Sequence, residues 1–205
     1  TLPIGGRTSP CHALWTMRLL VSSGETSGEL YAAELVRELR ALDPELSVLG
    51  LGGLRLAAEG ASLEAHVRDL AVVGLFEVLS HLRHIRSVFR RVLDEVDRDR
   101  PQAAVLVDYP DFNLRLARAL RRRGTPVVYY VSPQIWAWRK GRIRTIRDTV
   151  ERMLVIFPFE EALYRDAGVP VEFVGHPLVD LVHPEGREDF LRGLGVSPET
   201  DVVAV

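Results

Sequence analysis

The 205-residue sequence has one cysteine, Cys11, and one lysine, Lys140. A single thiol forms no internal disulfide, which excludes a disulfide-stapled scaffold and fits a reducing cytosol. No apolar run approaches the roughly 20 residues that a membrane-spanning helix needs. The net charge is −2, without the basic excess of a general nucleic-acid binder. Zinc-ligand spacing is missing as well, so no metal is expected. Residues 1–16 lack the basic region followed by an apolar region that marks a signal peptide. The ordered pattern begins at Met17, read as the native start, and residues 1–16 are expected to be disordered.

Arginine supplies all but one of the 26 basic residues. Coding bias accounts for that, although a planar guanidinium also suits phosphate recognition. With 47% hydrophobic and 26% charged residues, the composition is that of an ordinary globular protein. Apolar runs that read as buried strands lie at 18–22, 48–50, 103–107, 127–131, 153–157 and 171–174. Helical periods fall between most of them: Leu30, Ala33, Leu35, Val36 and Leu39; Leu114, Ala117 and Leu120; Ala162, Leu163 and Ala167. Strand–helix alternation with continuous apolar strands indicates a parallel sheet covered on both faces. The expected fold is therefore α/β, a Rossmann-like doubly wound domain over residues 17–200. Residues 201–205 read as a strand that opens a second domain.

In such a sheet ligands bind beyond the C-terminal ends of the strands. The first of these loops is Ser22-Ser23-Gly24-Glu25-Thr26-Ser27-Gly28-Glu29. Gly24 and Gly28 permit tight turns, and Thr26 with Glu29 fits a capping box. The loop matches neither nucleotide-binding glycine fingerprint, and Glu25 is a poor choice for a loop that only holds phosphate. The loop Asp108-Tyr109-Pro110-Asp111-Phe112-Asn113 follows the most apolar strand. Asp108, at the strand end, is placed to take a proton from a sugar hydroxyl; Asp111 and Asn113 equally suit a helix cap. The loop Ser132-Pro133-Gln134-Ile135-Trp136-Ala137-Trp138-Arg139 offers two aromatic faces for a sugar or an acyl chain, with Ser132 and Gln134 as hydrogen bonders. The alternative for Trp136 and Trp138 is a plug closing the core. His176, between glycine and proline at another strand end, is a further candidate.

A long helical stripe over 70–96 contains Leu75, Val78, Leu79, Leu82, Ile85, Phe89, Val92 and Val96. Val72, Val73 and Phe76 add apolar surface, and Arg83, Arg86, Arg90 and Arg91 give a basic face. That combination suits a membrane-surface element, and equally a helix covering the sheet. Asp97-Arg98-Asp99 has the spelling of a metal–nucleotide motif but lies at a charged helix end, where it reads as a solvated terminus.

Together these loops, with Ala71–Leu79 and the runs Phe157-Pro158-Phe159-Glu160 and Phe173-Val174-Gly175-His176-Pro177, resemble the lipid-A-disaccharide synthases. These are bacterial glycosyltransferases of the two-domain GT-B type, and the likeness covers 17–205, corresponding to the N-terminal domain. It implies inverting transfer from UDP-2,3-diacylglucosamine to the 6-hydroxyl of 2,3-diacylglucosamine 1-phosphate, with release of UDP and no cofactor. On this resemblance Asp108 is the base and Glu25 a catalytic neighbour. Ser23, Gly24, Ser27, Asn113, Ser132, Gln134, Trp136, Trp138, Arg139 and His176 bind substrate. Val72, Val73, Leu75, Phe76 and Leu79 meet acyl chains and the inner membrane from the cytoplasmic side. A C-terminal domain would hold the UDP-sugar; no nucleic acid is implied. Thr26 and Glu29 depart mildly from the alanine and aspartate usual in the family. The rival readings are another GT-B enzyme acting on UDP-amino sugars, and a non-catalytic lipid-binding domain. A nicotinamide-dependent oxidoreductase lacks its glycine fingerprint.

Overall fold

A computed structural model of the chain describes residues 16–66, 78–134 and 141–203. Strands and helices alternate as β1 (Arg18–Ser23), α1 (Thr26–Leu42), β2 (Ser47–Gly52), α2 (Leu54–Ala58), β3 (Ser62–His66), α3 (Val78–Asp99) and β4 (Ala103–Val107). They continue as α4 (Pro110–Arg122), β5 (Val127–Tyr130), α5 (Arg142–Thr149), β6 (Arg152–Val155), α6 (Pro158–Asp166) and β7 (Val171–Phe173). A separate unit, Gly175–Val205, holds α7 (Leu178–Leu181) and α8 (Arg187–Gly193). In it, residues 201–203 carry no regular secondary structure.

All seven strands are parallel, in the order β3-β2-β1-β4-β5-β6-β7. The two central strands explain why the sequence showed unbroken apolar runs rather than alternation. Leu20, Ala104 and Leu106 join a core with Val88, Val92 and Val96 of α3 and Leu116 and Leu120 of α4. Their neighbours Leu19, Val21, Val105 and Val107 join a second core with Tyr31, Ala32 and Val36 of α1. Successive residues thus serve opposite faces, and both faces are dry. Each fully buried leucine among them contributes about 1.5–3 kcal/mol.

The edge strand β3 is absent from the sequence expectation. Its segment, Ser-Leu-Glu-Ala-His, is half polar and pairs only with β2, across a register irregularity at Gly50/Leu51. An edge strand of five residues has too little apolar content to stand out. Residue 131, expected in a strand, leaves β5 instead, because Val131 turns into the left-handed region at φ 63°. Residues 156–157 likewise leave β6, since Pro158 opens α6.

The expected capping box on α1 does not form. Glu25 occupies the N-cap without a side-chain cap bond. Glu29 instead accepts the Arg55 backbone N–H at 2.7 Å, anchoring the first turn of α2. A side chain at Gly53 would meet the Glu29 carboxylate at 2.3 Å, so only glycine allows this approach.

Candidate active site

The chain reverses direction across the sheet at β1: β2 and β3 lie on one side and β4 to β7 on the other. The crevice of a doubly wound sheet opens where the order reverses, between the C-terminal ends of β1 and β4. Glu25 follows β1 and Asp108 follows β4. Both line one cleft of about 310 Å³, together with Val131, Ser132, Pro133, Gln134, Arg142, Phe157 and Glu160. That volume lies at the lower end of the range for small-molecule sites, about 300–1,000 Å³.

The cleft wall is strained. Asp108 and Tyr109 have φ of 49° and 46°, and Val131 has 63°. Left-handed backbone at non-glycine residues costs on the order of 1–3 kcal/mol each and is rarest for a β-branched side chain. Buried polar groups hold the first two in place. The Asn113 amide donates to Asp108 O at 2.8 Å, Val107 O at 3.2 Å and Ser22 O at 3.4 Å. Its Oδ1 accepts the Ser22 hydroxyl at 2.7 Å. From the neighbouring strand, the Tyr129 hydroxyl donates to Asp108 O at 2.6 Å. Asn113 and Tyr129 are completely buried.

Asp108 itself is half-buried. Burial pushes its carboxyl above the ordinary carboxylate range, the Glu25 charge pushes it further, and a hydrogen bond from the Tyr109 backbone offsets part of the rise. A carboxylate so raised is a stronger base than an exposed one. The same shift has a stability consequence. The folded chain holds the Asp108 proton more tightly than the unfolded chain, so its contribution is full at low pH. It declines as pH rises from about 3.9, the unperturbed value, through the raised native value. Asp108→Asn removes this decline. In paired thermal melts the variant's advantage in melting temperature is expected to widen from pH 4 to pH 8. A difference that stays constant or narrows would contradict the burial of this charge.

The other residues singled out from sequence are distributed unevenly. Ser132 and Gln134 line the cleft, yet the buried Ser132 hydroxyl donates to Glu160 and so fastens its own loop. Tyr164 supports the same loop by donating to Pro133 O at 3.3 Å. Asn113, expected at the substrate, is drawn into the core by its four hydrogen bonds. Ser23 is also fully buried, with Leu51 O as its acceptor. Ser27 is exposed, and Gly24 packs under Tyr109, whose ring would lie 2.1 Å from an added side chain. His176 belongs to the Gly175–Val205 unit, where its Nδ1 accepts the Leu178 N–H at 3.2 Å. Trp136, Trp138, Arg139, Val72, Val73, Leu75 and Phe76 lie outside the described residues, and Leu79 falls in the first turn of α3. Asp97 forms a two-pronged pair with Arg123 at 2.7 and 2.9 Å, in keeping with a surface helix end. Arg142 and Glu160 were missed. Glu160 follows β6, so the rule that found Asp108 would also have found it. Arg142 opens a helix, and no strand-end signal marks it.

Two solved structures share this architecture. UDP-GlcNAc 2-epimerase from Neisseria meningitidis, solved bound to UDP-GlcNAc, superposes with a TM-score of 0.59 at 11% identity, over 88% of this chain and 50% of that one. The Anabaena protein HepE, solved with UDP and glucose, gives 0.53 at 13% identity, over 87% and 50%. At such identities the likeness is one of fold alone, and it defines the chain as a Rossmann-like domain of the GT-B kind. Sequence narrows this further. The family model described as lipid-A-disaccharide synthetase matches residues 19–205. Lipid-A-disaccharide synthases from Koribacter versatilis and Myxococcus xanthus are each 48% identical, over 92% of this chain and 50% and 49% of their own lengths. Lipid-A-disaccharide synthase 1 from Legionella pneumophila is 47% identical over 92% and 50%. The chain belongs to the lipid-A-disaccharide synthase family. It spans about half the length of the curated relatives it matches.

Proposed function

We propose that this chain is the acceptor-side domain of an inverting glycosyltransferase that joins UDP-2,3-diacylglucosamine to 2,3-diacylglucosamine 1-phosphate. The observation that carries the reading is Asp108: a half-buried carboxylate with raised basicity, beside Glu25, in the crevice of a family-typical domain. Asp108 takes the proton of the acceptor 6-hydroxyl as that oxygen attacks the anomeric carbon of the donor sugar. The bond to UDP breaks, and UDP leaves with its electron pair. Burial keeps the base pKa high, and the Glu25 charge adds to the rise. The UDP-sugar is a substrate rather than a cofactor, and the step as written needs no metal. A C-terminal domain would supply the donor site.

Both substrates carry acyl chains, so the enzyme works at the cytoplasmic face of the inner membrane as a peripheral protein. Val72, Val73, Leu75, Phe76 and Leu79 are the residues expected to meet the acyl chains in this reading. Among the described residues no helix is long and apolar enough to cross a membrane. The test is calorimetric titration of this chain with micellar 2,3-diacylglucosamine 1-phosphate, with glucosamine 1-phosphate as the control. Acyl-dependent binding is expected. Equal heats from both ligands, or none from either with a folded chain, would count against an acceptor-side role.

A further inference from the structure

A second depression, separate from the cleft, runs between α3 and α4 and encloses about 600 Å³. Its floor is apolar: Ile85 and Phe89 from α3 meet Tyr109 and Phe112 at the head of α4. Phe112 stacks on Tyr109 at 5.9 Å and forms an edge-to-face pair with Phe89 at 5.5 Å. Its rim is cationic: Arg86 and Arg90 on one side face Arg115, Arg118 and Arg122 on the other. Each set recurs at three- or four-residue spacing, which brings like charges together along one helix face and disfavours the helix when nothing neutralises them.

Several helical arginines elsewhere are matched with acids at that spacing. Arg98 pairs with Glu95, Arg165 with Glu161 and Arg192 with Asp189. Along the groove the pattern stops. Among the described residues Arg86, Arg90, Arg115 and Arg122 have no carboxylate at ion-pair distance. Arg118 bonds only the neutral Thr145 hydroxyl. The single acid on the rim, Asp111, already holds Arg142. A chain of net charge −2 therefore gathers five guanidiniums around an aromatic floor. One end of that floor is Tyr109, the residue next to Asp108.

We propose that the α3–α4 groove is a binding site for an acylated phosphomonoester, the guanidiniums holding the phosphate and the aromatic floor an acyl chain. Guanidinium forks match phosphate oxygens two at a time, and the floor supplies the apolar surface that a bare anion site would not need. The proposal rests on the acceptor reading only for the ligand's natural identity. The existence of the site rests on the groove itself.

The test titrates the chain calorimetrically with monomeric dihexanoyl phosphatidic acid, which carries both a phosphomonoester and acyl chains. Glycerol 3-phosphate supplies the phosphate alone, and dihexanoyl phosphatidylcholine the chains without net negative charge. Phosphatidic acid is expected to bind at least tenfold more tightly than either. The variant Arg86→Gln/Arg90→Gln/Arg115→Gln should lose at least tenfold in that affinity while keeping its circular dichroism and melting temperature. Arg37→Gln/Arg121→Gln/Arg165→Gln, with the same change of charge on other faces, should bind as the parent does. Glycerol 3-phosphate binding as tightly would reduce the groove to a free-phosphate site, and phosphatidylcholine binding as tightly to an apolar one; either overturns the proposal. So would an unaffected groove variant, or equal loss in both triple variants. No donor is present in the titration, so its outcome is independent of whether Asp108 acts as a base.

Discussion

Asp108→Asn in the complete enzyme is expected to lower turnover by about 10²–10⁴, the usual worth of a general base. The substitution keeps the side chain's size and leaves the backbone oxygen of residue 108, which the Asn113 amide and the Tyr129 hydroxyl hold, unchanged. Acceptor affinity should therefore change far less than kcat. The pH profile adds a second readout. In the parent, kcat/KM is expected to rise with pH as Asp108 loses its proton, with the midpoint above the ordinary carboxylate range because the group is buried beside Glu25. The variant's residual activity should lack that limb. Near-parental turnover, or an unchanged acidic limb, would remove Asp108 from the chemistry and move attention to Glu25.

Asn113→Ala is expected to have the largest effect on stability, about 3–5 kcal/mol in urea unfolding. The loss strands the Ser22 hydroxyl and takes one donor each from the carbonyls of residues 22 and 107 in the interior, while the carbonyl of residue 108 keeps only the Tyr129 hydroxyl. Each buried group left unsatisfied costs roughly 1–3 kcal/mol, partly recovered by relaxation. The turn at Asp108 and Tyr109 would also lose a restraint that keeps both residues at positive φ. Acceptor binding should then fall in the variant even where it remains folded. A loss below about 1 kcal/mol would show that the neighbouring strands alone fix the turn, with the amide an accessory.

The two predictions separate two kinds of residue that look alike in the sequence. Asp108 and Asn113 stand five positions apart in one polar loop, and either suits a substrate contact or a helix cap. The structure sends one to the crevice and the other into the core. Ser22 and Ser23 are similar, since both are polar residues at a strand end and both are fully buried. Ser132 reaches the cleft but commits its hydroxyl to Glu160.

The sequence by itself determined the architecture and the position of the crevice. Continuous apolar strands separated by helical periods admit few arrangements other than a covered parallel sheet. In such a sheet the strand-end loops carry the chemistry. Six motifs in one order sufficed for the family. Only the tertiary structure decided which polar side chains are free to act. Hydrogen bonds such as those of Asn113 to Ser22 join residues 91 positions apart, and local pattern carries no record of such partners. It also brought arginines of α3 and α4 around one apolar floor. Along either helix alone they read as a solvated face, and their meeting depends on how the two helices pack against β4 and its neighbours.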